Sequence, residues 1–153
     1  MNTLYEELDW PQVPAEFCIT NEEFMIKNFI HSHPVDHYLY YRQYKYNSNT
    51  LVKILQPLFN FDIRGRIFYQ IIKKGISTHK DIGRKIIYNY ILDTGGEEVF
   101  TRFYEEDKVT ESLSVKIPLH KWHKLDTTHY HNVTGIERPR VAISVYEKLT
   151  DSE

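Results

Sequence analysis

Cysteine is almost missing from this chain of 153 residues. Cys18 stands alone, which excludes an internal disulfide framework and suits a reducing compartment. Glycine and proline are scarce, six of each, and no repeat or low-complexity stretch occurs, so neither a solenoid nor a linker-joined pair of domains is expected. No charge sign dominates: the net charge of −2 recommends neither a general nucleic-acid binder nor a partner of anionic membranes. No apolar run approaches the roughly 20 residues that cross a bilayer. The first ten residues are acidic and polar, unlike a secretory leader, so a cytoplasmic location is expected. Asn132-Val133-Thr134 then reads as a chance sequon match.

Aromatic side chains are plentiful, twelve Tyr and eight Phe, which favours half-buried pleated strands over long helical bundles. The length suits a single domain over 1–153. Helix signals fall within residues 1–60, a helical and tyrosine-rich part. Thr20 followed by Glu23 forms a capping box, and Ile26, Phe29 and Ile30 recur at helical spacing. Ser48 caps a second helix carrying Leu51, Ile54, Leu55 and Leu58, which Pro57 kinks or ends. Residues 37–46 read as a tyrosine-rich strand between the two. From Arg66 onward nearly everything is strand: 66–73, 76–80, 85–92, 99–104, 113–117, 122–126, 130–133 and 139–146. Turn signals such as Lys74-Gly75, Ile82-Gly83, Thr94-Gly95-Gly96 and Thr134-Gly135 separate many of them. Short, closely spaced strands predict a mainly β, jelly-roll-like barrel with about two N-terminal helices packed on it.

His79 and Asp81 stand two residues apart on an extended segment, so strand periodicity turns both to one face. Such a pair can occupy adjacent positions on a metal, with His131 the candidate for a third. Two imidazoles and one carboxylate on one face of an octahedron form the triad of non-haem Fe(II) oxygenases. Neutral imidazoles with one carboxylate leave net positive charge at iron, attractive to a dianionic keto-acid. Arg140 opens a later strand whose same-face neighbours, Ala142 and Ser144, are small. A guanidinium with space before it suits bidentate capture of a carboxylate. Arg138, in the turn before Pro139, reads as a surface salt bridge.

An H-x-D pair, a distal histidine and a basic residue some nine positions on resemble the Fe(II)/2-oxoglutarate-dependent oxygenases, over residues 64–148. Within them, His79-Lys80-Asp81-Ile82-Gly83-Arg84, Tyr88-Asn89-Tyr90-Ile91-Leu92, Thr101-Arg102-Phe103-Tyr104 and Asp126-Thr127-Thr128-His129-Tyr130-His131-Asn132-Val133 are similar to small hydroxylases related to the aspartyl/asparaginyl β-hydroxylases, including phage-encoded members. The resemblance implies a double-stranded β-helix core over 64–148, Fe(II) at His79, Asp81 and His131, and 2-oxoglutarate as co-substrate with Arg140 on its distal carboxylate. Many family members carry a serine where this chain has Ala142. Tyr69, Tyr88 or Asn89 is therefore expected to supply the missing donor. Some aspartyl/asparaginyl β-hydroxylases lack the carboxylate ligand, so their substrates do not transfer, and the prime substrate stays open.

Other histidines compete for roles. His129 shares strand parity with His131 and is an alternative ligand, although the H-x-V context and the spacing to Arg140 favour His131. His31, His33 and His37, with Asp36 beside them, have ligand-like spacing but read as a solvated loop next to Pro34. His120 and His123 flank Trp122 in a Lys-rich stretch and are expected on an exposed edge. Tyr38, Tyr40, Tyr44 and Tyr46 share one parity, as a packed sheet face would, with a substrate-binding wall as the alternative. Against the oxygenase stand a cupin-type metalloenzyme that does not use 2-oxoglutarate, a non-catalytic jelly-roll binding or structural module, and a pseudo-enzyme that keeps its metal.

Overall fold

The computed structural model describes residues 3–34, 38–42 and 48–151, with the backbone alone for 30–34, 38–42, 48 and 151. The strands are β1 (Tyr5–Leu8), β2 (Ile30–Pro34), β3 (Tyr38–Arg42), β4 (Ile67–Ile72), β5 (Ile76–His79), β6 (Arg84–Asp93), β7 (Phe100–Tyr104), β8 (Glu111–Val115), β9 (Trp122–Asp126), β10 (Tyr130–Thr134) and β11 (Arg140–Lys148). Two α-helices, α1 (Glu22–Asn28) and α2 (Ser48–Leu55), precede β4.

Several central strands are apolar on both faces, and this fixes the layering. In β11 the first six residues are all buried. Val141, Ile143 and Val145 join Tyr69, Ile71, Tyr90, Leu92 and Trp122 in a core shared with Val13, Phe17, Met25, Leu51 and Leu55 of the N-terminal part. The alternate residues, Phe68, Ile87, Ile91, Leu125 and Ala142, form a second core with Phe103 and Ile117. A sheet covered on both sides needs such unbroken hydrophobic runs, because side chains alternate between faces.

That sheet has seven strands in the order β1-β9-β6-β11-β4-β3-β2, and it faces a four-stranded sheet, β5-β10-β7-β8. All pairings are antiparallel. From β4 onward the chain winds between the sheets, placing β4, β6, β9 and β11 in the larger and β5, β7, β8 and β10 in the smaller. This is the expected jelly-roll barrel with two helices packed on it. None of the described helices is long and apolar enough to cross a membrane.

The N-terminal part departs from expectation. The cap of α1 is Asn21, whose side chain accepts the Phe24 N–H at 3.2 Å, in place of a Thr20–Glu23 box. The helix stops at Asn28, and Ile30 opens β2. A one-turn 3-10 helix, Gln56–Leu58, containing Pro57, follows α2. Strands β1, β2 and β3 extend both edges of the larger sheet, so residues 1–60 are part of the sheet as well as its cover. His37, Tyr44 and Tyr46 lie outside the described residues, as do the side chains of His31, His33, Tyr38 and Tyr40.

The Tyr69 hydroxyl donates to the Phe17 carbonyl at 2.5 Å across the first core. Tyr69→Phe should cost about 1 kcal/mol, the worth of one net hydrogen bond, because the carbonyl keeps the Ile19 N–H at 2.9 Å. Thermal unfolding checks the loss, and ligand binding in the barrel should be unchanged.

Candidate metal centre

His79 and His131 are direct partners across the β5–β10 ladder, with ring centroids 4.5 Å apart. Each ring is held the same way. Nδ1 of His79 lies 2.8 Å from the Ser77 carbonyl, and Nδ1 of His131 lies 2.8 Å from the His129 carbonyl. A carbonyl only accepts, so each Nδ1 carries the proton and each Nε2 presents a lone pair. Both Nε2 atoms face one oxygen of Asp81, at 3.2 Å from His79 and 3.5 Å from His131. Asp81 lies just beyond the end of β5, where its N–H donates to the Thr127 carbonyl at 3.1 Å. The predicted convergence of His79 and Asp81 is therefore achieved by a backbone anchor past the strand end.

Three lone-pair donors aimed at one point repel unless a proton or a metal cation lies between them. The donor atoms of His79, Asp81 and His131 lie within 4.8 Å of one another, and carbonyl-oriented imidazoles are how protein metal ligands are held. The set fits a divalent ion. Burial opposes ionisation of Asp81, but the imidazoles of His131 and His79 outweigh it and hold the carboxyl well below the usual carboxylate range. Asp81 in turn raises the His79 imidazole, against the opposing effect of burial.

The triad opens on a cavity of about 660 Å³ between the sheets, whose lining includes Gln70, Asn89, Thr101, His123, Thr127 and Arg140. Arg140 is 4% exposed, and its Nη1 donates to the Thr101 hydroxyl at 3.2 Å. Its Nε has no partner, and no carboxylate among the described residues forms an ion pair with it. Burial lowers this guanidinium to about 10, so it stays charged at neutral pH. Thr101 faces Val133 across the β7–β10 ladder, and Phe103, two residues on, faces His131. The Arg140–Thr101 contact thus lies about 7 Å along the strands from the His131 level.

Of the other expected donors, Asn89 lines the cavity. Tyr69 and Tyr88 do not. They belong to the opposite face of the larger sheet, where Tyr69 is bonded to Phe17 and Tyr88 stacks on Trp10 and donates to Glu147. His129 precedes β10, and its Nδ1 lies 3.5 Å from Asp126, outside the triad. Arg138 pairs with Asp93 at 3.0 Å on the surface, as expected. His123 overturns its assignment to an exposed edge. It is 1% exposed and lines the cavity, because alternation along β9 turns His123 and Leu125 inward and Lys124 outward. Thr101 is a second cavity residue that sequence reasoning passed over. The inward pairing of Thr101 with Phe103 was its only signal.

Solved structures share this architecture. A prolyl hydroxylase from Trichoplax adhaerens, in complex with a hypoxia inducible factor oxygen degradation domain peptide fragment, superposes with a TM-score of 0.55 at 12% identity, covering 85% of this chain and 74% of that one. An oxidoreductase of the 2OG-Fe(II) oxygenase family from Burkholderia pseudomallei gives 0.55 at 11% identity, covering 88% and 82%. The likeness is one of fold. The Drosophila melanogaster CENP-C cupin domain gives 0.48 at 9% identity over 93% of this chain and 86% of that one. No protein-family model matches the sequence, and no curated protein matches it.

Co(II) titration followed by visible absorption tests the centre. One equivalent should bind the wild-type protein, and Asp81→Ala should weaken binding by at least about 100-fold, beyond the usual effect of losing an outer-shell partner. Unchanged affinity would remove Asp81 from the site.

Proposed function

We propose that the protein is an Fe(II)- and 2-oxoglutarate-dependent oxygenase that hydroxylates a substrate with release of succinate and CO2. One observation carries this reading: a two-histidine, one-carboxylate cluster and a buried guanidinium without a carboxylate partner share a single cavity. A buried charge needs an opposite charge, and the described residues offer Arg140 none. A ligand with a carboxylate at one end and metal-chelating oxygens at the other satisfies both ends of the cavity.

His79, Asp81 and His131 would hold the ion on one face and leave the opposite positions open. When bound, Fe(II) with the keto-acid supplies the oxidising chemistry, O2 giving one atom to succinate and one to the substrate. The protein's own residues bind, orient and shield. The Ser77 and His129 carbonyls fix the imidazoles, Thr127 anchors Asp81, and Arg140 fixes the far carboxylate. Ile87, Ile91, Ile117, Leu125 and Ala142 exclude water between the two ends. The substrate would approach from the side of Lys80, Ile82 and Arg84, which line the exposed part of the cavity.

Anaerobic addition of Fe(II) and 2-oxoglutarate should give a visible charge-transfer band, and its absence would count against the reading. Turnover independent of the keto-acid would favour a cupin-type enzyme instead. Arg140→Ala should weaken 2-oxoglutarate binding by roughly 10- to 150-fold, the worth of a charged hydrogen-bonded pair, while leaving metal affinity unchanged. Equal loss of both would indicate misfolding.

A further inference from the structure

Three polar side chains stand in one row across the apolar inner face of the larger sheet. Ser144 is the register partner of Asn89 on β6, and Asn89 that of His123 on β9. All three are buried, at 0%, 7% and 1% exposure. Their hydrogen bonds run in one direction. The Ser144 hydroxyl donates to Asn89 Oδ1 at 2.5 Å, which turns the amide nitrogen toward His123 Nε2, 3.2 Å away. An amide nitrogen only donates, so Nε2 accepts and the neutral ring carries its proton on Nδ1. Burial, reinforced by the charge of Arg140, holds the imidazole far below its ordinary value and so neutral. That Nδ1 is buried with no partner. The Tyr5 ring, its centroid 5.6 Å away, covers one side of the imidazole.

An orphaned buried N–H calls for an acceptor, and none of the described residues supplies one. Arg140, four residues before Ser144 on β11, lines the same cavity with an orphaned Nε, so this pair presents unsatisfied donors, whereas the cavity's unpartnered oxygens, Thr127 Oγ1 and Asn132 Oδ1, belong to the residue that anchors Asp81 and to the neighbour of His131. We propose that His123 donates its Nδ1–H to the carboxylate that Arg140 holds, taking the place of the hydroxyl that Ala142 lacks. Ser144 and Asn89 are positioning residues, since they set the tautomer that makes His123 a donor. An all-donor site of this kind selects an acceptor-only group, a carboxylate over a carboxamide. The inference rests on the oxygenase reading above.

The test compares 2-oxoglutarate with pyruvate, which has the same keto-acid end but no distal carboxylate, by calorimetry on Zn(II)-loaded protein. Wild type should prefer 2-oxoglutarate. His123→Leu should lose about 10- to 100-fold in 2-oxoglutarate affinity with pyruvate binding unchanged. His123→Asn, whose amide nitrogen lies near the position of Nδ1, should restore most of the preference. If wild type shows no preference, the oxygenase reading fails along with this one. Should wild type discriminate and His123→Leu discriminate equally, or should both ligands weaken together, only the His123 assignment falls. In the unmodified protein, 2-oxoglutarate should move the Nδ1 proton of His123 downfield in 15N-resolved spectra, and an unmoved resonance would also overturn the assignment.

Discussion

Burial of the larger sheet on both faces is the constraint from which the rest follows. One set of alternating residues is committed to the N-terminal cover, the other to the barrel interior. A strand shared in this way cannot lend neighbouring residues to one site. On β6, Tyr88 and Tyr90 serve the cover while Asn89 and Ile91 serve the cavity, and on β11 Arg140 and Ala142 face inward between Val141 and Ile143. The chemistry of the interior is therefore drawn from every second residue, and a register slip of one would exchange core for cavity.

The interior is apolar in its middle and polar at both ends. Around the triad three lone-pair donors converge, while Arg140 and His123 line the same cavity with N–H donors that lack acceptors. Each end is poorly satisfied by the protein alone, which marks buried polar clusters made for something other than stability. The smaller sheet contributes His79, His131 and Thr101, and the larger contributes Arg140, His123 and Asn89. Neither sheet holds a complete site without the other.

Much of this was legible in the sequence. The eight strands from Arg66 onward appear close to their expected positions, because alternation and turn residues are strong signals where a core lies behind them. Strand β1 was missed because Tyr5-Glu6-Glu7-Leu8 is an edge strand with little apolar alternation, and β2 because its start continues the periodicity of α1. The His79–Asp81 convergence was read from strand periodicity, yet Asp81 lies outside the strand and depends on Thr127, a contact across 46 positions that no local pattern announces. Tyr69 and Tyr88 carry suitable hydroxyls, but strand alternation turns both to the covered face of the sheet, away from the cavity. His123 was hidden by its neighbours: Lys121 and Lys124 suggest solvent, while Trp122 and Leu125 show that the strand is half buried.

The place of β11 in the larger sheet bears on how the protein folds. It is the last of the described strands and the fourth of seven in the sheet, with β1-β9-β6 on one side and β4-β3-β2 on the other. Without it, the sheet would be divided into two three-stranded groups with facing unpaired edges. The barrel thus depends on pairings between strands far apart in the sequence, which make such topologies slow to fold and their open edges vulnerable to misassociation. Arg140, its first residue, lines the cavity, so the strand that joins the two halves of the sheet also brings the buried guanidinium to the interior.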